Sequence, residues 1–145
     1  MEEDGDILLK NGLVESPRIQ IRDRKPEICG DSVNINLVIA DDVKNVPADI
    51  YLMTHVTNPL LTSVTIMKAL NKFVEAKNNE THDSLFAVNR YQSRFYKEGG
   101  VPLNHNSKNL LRTQDLEPLF EENSCLYVFS AQSFNLNCSR IGNNP

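Results

Sequence analysis

Apolar positions recur along this chain with two spacings, every second residue or every third to fourth, and the switches between them mark the elements. The most informative switch falls in residues 49–61, DIYLMTHVTNPLL. Ile50, Tyr51, Leu52 and Met53 predict a strand that turns polar at Thr54, His55, Thr57 and Asn58 and is stopped by Pro59. Thr62 and Ser63 then offer N-cap hydroxyls to a helix over 64–77, where Val64, Met67, Leu70, Phe73 and Val74 predict one buried face. A turn-rich KNNETH loop leads to a strand over 84–88, SLFAV. Strand, helix and strand with short links predict parallel, right-handed βαβ units.

The flanks are less regular. Residues 1–11 read as the tail of a helix with Ile7 and Leu8 as apolar contacts, stopped by Gly12. Residues 18–22 predict a short strand carrying Ile19 and Ile21 inward. A helix over 33–43 follows a polar connector, capped by Asp31 or Ser32, with Ile35, Val38, Ile39 and Val43 as its stripe. Asp41 and Asp42 on that helix are expected on a solvated face. Downstream, Glu98-Gly99-Gly100 between apolar flanks predicts a hairpin turn, and 103–113 has no clear period. A strand over 125–130, CLYVFS, and a short helix over 131–135 follow, and 140–145 reads as a terminal loop.

Composition narrows the class. At 145 residues, 40% hydrophobic and 23% charged, the chain is expected to be a single soluble globular domain. A net charge of −4 with no basic stripe argues against nucleic acid as partner. The apolar runs are too short for a membrane span, and the acidic start is unlike a signal peptide. Cys29, Cys125 and Cys138 lack metal-type spacing and read as reduced thiols, so a cytoplasmic location is expected.

The chemistry lies at the polar end of the first strand. In parallel α/β sheets ligands bind beyond the strands' carboxyl ends, and small polar groups facing a helix N-terminus suit an anionic or polyhydroxylated ligand. No glycine-rich phosphate loop and no carboxylate pair at a strand end accompany it.

Four blocks, in order, resemble the cytidylyltransferase family that makes CMP-activated acidic sugars, typified by acylneuraminate cytidylyltransferase. Arg24-Lys25-Pro26-Glu27 with Gly30-Asp31 looks like the family's Arg-Pro…Asp segment, with an added lysine. THVTNPLL over 54–61 looks like its Leu-Gln-Pro-Thr-Ser-Pro-Leu-Arg turn, with His55 at the glutamine, Val56 at a proline, Asn58 at a serine and Leu61 at the arginine. DSLFAVN over 83–89 is similar to the next strand. Arg112-Thr113-Gln114-Asp115-Leu116 and Glu122-Asn123-Ser124-Cys125-Leu126-Tyr127 look like Arg-x-Gln-x-Leu-Pro and Asn-Gly-Ala-Ile-Tyr, with Ser124 at the glycine.

The resemblance implies an α/β fold with a Rossmann-like, mostly parallel sheet of the nucleotide-diphospho-sugar transferase type, interrupted by a β-hairpin. It implies transfer of CMP from CTP to an acidic sugar such as a sialic acid, with release of pyrophosphate, Mg2+ as cofactor, and a homodimer as the full-length protein. An acidic sugar asks for arginines and short amides or hydroxyls. The implied substrate-binding residues are Arg24, His55, Thr57, Asn58, Arg112, Gln114, Asp115, Asn123 and Tyr127, with no catalytic residue and no metal ligand. Arg112 would carry the charged contact, oriented by Gln114 and Asp115; Tyr127 fits the pocket and the strand's core equally well. The family's Ala-Arg-x-Gly-Ser-Lys triphosphate loop and Ile-Asp-x-Asp metal segment have no counterpart in these residues. The expectation is therefore one partial domain over 1–145 that supplies the sugar-binding half, inactive alone. A non-catalytic sugar-binding or interaction module of the same fold is the alternative, and an unrelated receiver-like α/β domain is a third.

Overall fold

A computed structural model describes the backbone of Glu2–Pro145, with side chains from Gly5 onward. The chain divides into two compact units, Met1–Pro47 and Ala48–Pro145.

The first unit is helical and loop-rich. Helix α1 (Glu2–Lys10) ends where the Leu13 N–H returns to the Leu8 carbonyl across Gly12. The strand expected over 18–22 does not form: only an isolated bridge, Ser16 with Ile19, appears there. Two isoleucines supply an alternating pattern, but with no neighbouring strand to complete a ladder, that pattern cannot hold extended backbone. Helix α2 (Ile35–Asn45) begins two residues later than expected because Asn34, not Asp31 or Ser32, is the N-cap, its side chain accepting from the Asn36 N–H. Val38 and Ile39 are buried, with Ile35 and Val43 half-buried beside them. Asp41 departs from the expected solvated face. Its carboxylate takes Arg22 at 2.9 Å and Lys25 at 2.5 Å, and its side chain is only 13% exposed.

The second unit is built on a three-stranded sheet. Strand β1 (Ile50–Thr54) leads through two tight turns into α3 (Ser63–Asn78), and α3 leads into β2 (Ser84–Tyr91). A small hairpin of β3 (Tyr96–Lys97) and β4 (Val101–Pro102) follows, turning at Gly99 and Gly100 with φ of +81° and +76°. Strand β5 (Leu119–Ser130) and α4 (Ala131–Asn137) complete it. The sheet order is β1-β5-β2. Both ladders are antiparallel, so β1 and β2 run the same way with β5 reversed between them. The fold is therefore mixed α/β, and the mostly parallel sheet is not what the described residues form. Alternation along β5 is the same whichever way the strand points, so the sequence pattern carried no information on direction.

Neighbouring residues of β5 face opposite sides of the sheet. Leu126 and Val128 join Phe73 of α3 in the core, with Ile50, Leu52, Leu85 and Ala87 from the strands and Ile66, Ala69 and Leu70 from the helix. The buried face of α3 thus runs through Ile66, Ala69, Leu70 and Phe73. Of the expected stripe, Leu70 and Phe73 lie inside, whereas Val64 and Met67 are 76% and 54% exposed and Val74 is exposed too. A face shifted by one position along the helix explains the difference, since alanine and isoleucine satisfy the same spacing. On the sheet's other side, Phe129 stacks on Tyr51 at 5.7 Å and meets Phe134 of α4 at 5.6 Å. Ser130 caps α4 by accepting from the Ser133 N–H.

Candidate functional site

The site lies on the sheet side that carries Tyr51 and Phe129, where β1 runs out. Met53 pairs with Tyr127 across the β1–β5 ladder, and His55, two residues on, shares their face. The Asn58 N–H then returns to His55 and the Leu61 N–H to Asn58, two successive turns around Pro59. The Thr62 hydroxyl accepts from the Thr65 N–H and opens α3.

Strand β5 contributes an irregularity. Glu122 pairs with Val88 and Tyr127 with Phe86, so residues 123–126 stand against Ala87 alone. Ser124 sits in this bulge with φ of +55°, in the left-handed region that a side chain normally avoids. It occupies the position where the resembled motif carries glycine. The bulge folds Glu122 back onto Tyr127, whose hydroxyl donates to Glu122 and lies 3.2 Å from the Ser124 hydroxyl.

Arg140 completes the group. Its guanidinium carbon lies 3.8 Å from the centre of the Tyr127 ring, one nitrogen donates to Glu122 at 3.0 Å, and another lies 3.7 Å from the Met53 sulfur. Only 14% of its side chain is exposed. Tyr127 is fully buried; burial first and the Glu122 carboxylate second push its phenol above the ordinary tyrosine range. The His55 ring is tilted against Tyr127 at 6.4 Å between centroids, and its Nε2 is enclosed without a hydrogen-bond partner among the described residues.

The residues singled out from sequence fall into five places. His55 and Tyr127 are brought together. Thr57 and Asn58 lie on the turn beyond β1, Thr57 exposed and Asn58 half-buried. Asn123 lies on the bulge, donating to Asn89 at 3.1 Å and accepting from the Cys125 N–H. Asn89 and Tyr91 in turn donate to Glu121 at 3.0 and 2.9 Å, which holds that carboxylate below its usual range.

Gln114 and Asp115 lie apart on the short 3-10 turn Thr113–Asp115, with Arg112 immediately before it. There Arg112 is 74% exposed and grips both Asp115 oxygens, at 2.7 and 3.2 Å. Arg24 lies in the first unit, exposed on the connector, its carbonyl accepting from the Cys29 thiol. Glu122, Ser124 and Arg140 were not singled out as pocket residues. Glu122 and Ser124 stood inside a matched block, whereas Arg140 followed by Ile-Gly read only as terminal loop.

Chemically, the group presents a guanidinium and a phenol hydrogen-bonded to one carboxylate, with an enclosed imidazole nitrogen on the ring that tilts against the phenol. Guanidinium and imidazole N–H groups are donors that suit carboxylate and hydroxyl oxygens in general. The group contains no activated nucleophile. Among the described residues no cluster of three or more His, Cys, Asp or Glu side chains is placed to hold a metal ion, and Glu122 is already engaged by Tyr127 and Arg140. These residues therefore do not fit a magnesium site. None of the described helices is long and apolar enough to cross a membrane. Comparison with known protein families finds no matching family, and no curated protein matches the chain.

Proposed function

We propose that this chain binds an acidic sugar, as the sugar-binding half of a cytidylyltransferase that moves CMP from CTP onto a sialic acid-like keto-sugar acid. The observation that carries the reading is Arg140, held over Tyr127 and paired with Glu122 where β1 ends, with the His55 ring tilted against the same Tyr127. A sugar carboxylate would be taken by the guanidinium and a hydroxyl by His55. The left-handed Ser124, standing where the resembled motif has glycine, supports the same reading. So does the crossover from β1 through the Thr62-capped α3 to β2, which keeps those strands in the same direction, as the finer Rossmann-like proposal requires.

In the whole reaction the anomeric hydroxyl of the sugar attacks the α-phosphorus of CTP and pyrophosphate leaves. The residues described here contribute placement of the sugar, which is a large part of what such a displacement needs. Magnesium would neutralise the phosphates, from ligands other than these residues. The homodimer belongs to the same proposal: the arm around β3 and β4 exposes Tyr96, Val101, Leu103, Leu110 and Leu111, a surface suited to a second copy.

A second reading, binding without catalysis, is favoured by the engagement of Glu122 in hydrogen bonds rather than in an open ligand position. Calorimetric titration with N-acetylneuraminate tests both. Binding of the acid but not of neutral N-acetylmannosamine is expected, and equal or absent binding of the two overturns the proposal. CTP with magnesium then tests the expectation, common to both readings, that the chain is inactive alone. These 145 residues are expected to bind the sugar without forming CMP-sugar, and robust product would make the chain an enzyme by itself.

A further inference from the structure

Arg140 belongs to the segment after α4, which has no regular structure of its own to aim a side chain. That segment is fixed instead by the start of β2. The Gly142 N–H donates to the Ser84 hydroxyl at 2.8 Å. The Asp83 carboxylate accepts from the N–H groups of Asn143 and Asn144, at 2.8 and 3.2 Å, and from the Ser84 hydroxyl at 3.0 Å. The Asp83 N–H donates to the Asn144 carbonyl at 3.0 Å, and the Asn144 amide donates to the Thr81 carbonyl.

A carboxylate collecting successive backbone N–H groups is a strong, charge-assisted clasp. Gly142 lies so close that a Cβ there would overlap the Asp83 carboxyl group. A side chain at 142 would therefore push the Asp83 carboxylate out of its hydrogen bonds, a steric effect and not a conformational one, since the Gly142 φ is not in the left-handed region.

We propose that Asp83 and Gly142 form a latch that positions Arg140 over Tyr127, making Asp83 a positioning residue for the site. The latch lies two residues from Arg140, so its release frees the guanidinium from both the ring and Glu122. The positioning role rests on the sugar-binding reading above; the latch itself rests on geometry alone.

The test separates the two. Protons of an arginine stacked on a tyrosine ring are displaced by the ring current, so the Arg140 side-chain resonances report the stack directly. Asp83→Ala and Gly142→Ala are expected to abolish that displacement while the methyl resonances of Leu126 and Val128 stay in place. Asn144→Ala, which keeps the carboxylate, serves if Asp83→Ala does not fold, and is expected to reduce it. Retention of the Arg140 displacement in variants with intact core signals overturns the latch. N-acetylneuraminate titrated into the same proteins reads the role: affinity is expected to fall about tenfold in the latch variants, the loss of one charge-assisted contact. Unchanged affinity despite a lost stack overturns the positioning role. Failure of the wild-type chain to bind the sugar overturns the functional reading, with the ring-current result still deciding the latch.

Discussion

Three side chains decide the chemistry of the second unit. Arg140 packs over a buried phenol and is paired with Glu122, so removing it takes its cation away from a carboxylate hydrogen-bonded to a phenol. Arg140→Ala is expected to weaken N-acetylneuraminate binding about tenfold or more, with an unchanged circular dichroism spectrum. Tyr127 must be neutral to donate to Glu122. Its raised pKa adds stability that is fully present below the ordinary tyrosine pKa of about 10 and is lost as pH rises toward the higher folded value. Tyr91 is raised too, by its hydrogen bond to Glu121. Alkaline titration followed by tyrosinate absorbance should therefore show a late-ionising phenol in wild type that Tyr127→Phe removes, with the Tyr91 contribution remaining.

Asp41 in the first unit behaves oppositely. The hydrogen bond from Lys25 and then the charges of Lys25 and Arg22 hold its carboxyl below the ordinary range. Its contribution is present above a pH of about 4 and is lost as pH falls through the lower folded pKa. Asp41→Asn should remove this acid-sensitive part of the unfolding curve, and an unchanged acid limb would contradict the assignment.

At the scale of elements, the chain's own signals set existence better than direction. The polar end of β1, the Thr62 cap, the hairpin glycines and α4 all appear where their residues predict them, because caps and turns are written in one or two side chains. The reversal of β5 was not legible, since nothing local distinguishes a parallel from an antiparallel neighbour. The left-handed bulge at Ser124 was hidden for a related reason: serine is an uncommon residue there, and tertiary contacts hold it. The site was legible only in part, because Arg140 reaches Tyr127 from a loop hydrogen-bonded to Asp83, far along the chain.

Two substitutions test the elements themselves. Thr62→Ala should cost about 1 kcal/mol by removing the cap of α3, and Phe73→Ala about 3–5 kcal/mol by emptying the core beneath the sheet, both read by urea unfolding. Ser124→Val should destabilise by roughly 1–2 kcal/mol because a branched side chain resists positive φ, whereas Ser124→Gly should be tolerated.

For the whole molecule, the sheet leaves β1 and β2 as its outer strands, and the hairpin arm carries exposed aromatic and aliphatic side chains. Outer strands with unpaired backbone and an apolar arm both favour association. Light scattering is expected to find a species larger than the 16.4 kDa chain, shifted toward monomer by Tyr96→Asp with Leu103→Asp. The sugar-binding claim rests on the side chains grouped around Tyr127. It is tested most directly by following the His55 ring and Arg140 side-chain resonances while N-acetylneuraminate is added. The account predicts saturable shifts at both, absent with the neutral sugar and absent in Arg140→Ala. Saturable shifts centred on Arg112 and Asp115, with His55 and Arg140 unmoved, would contradict it.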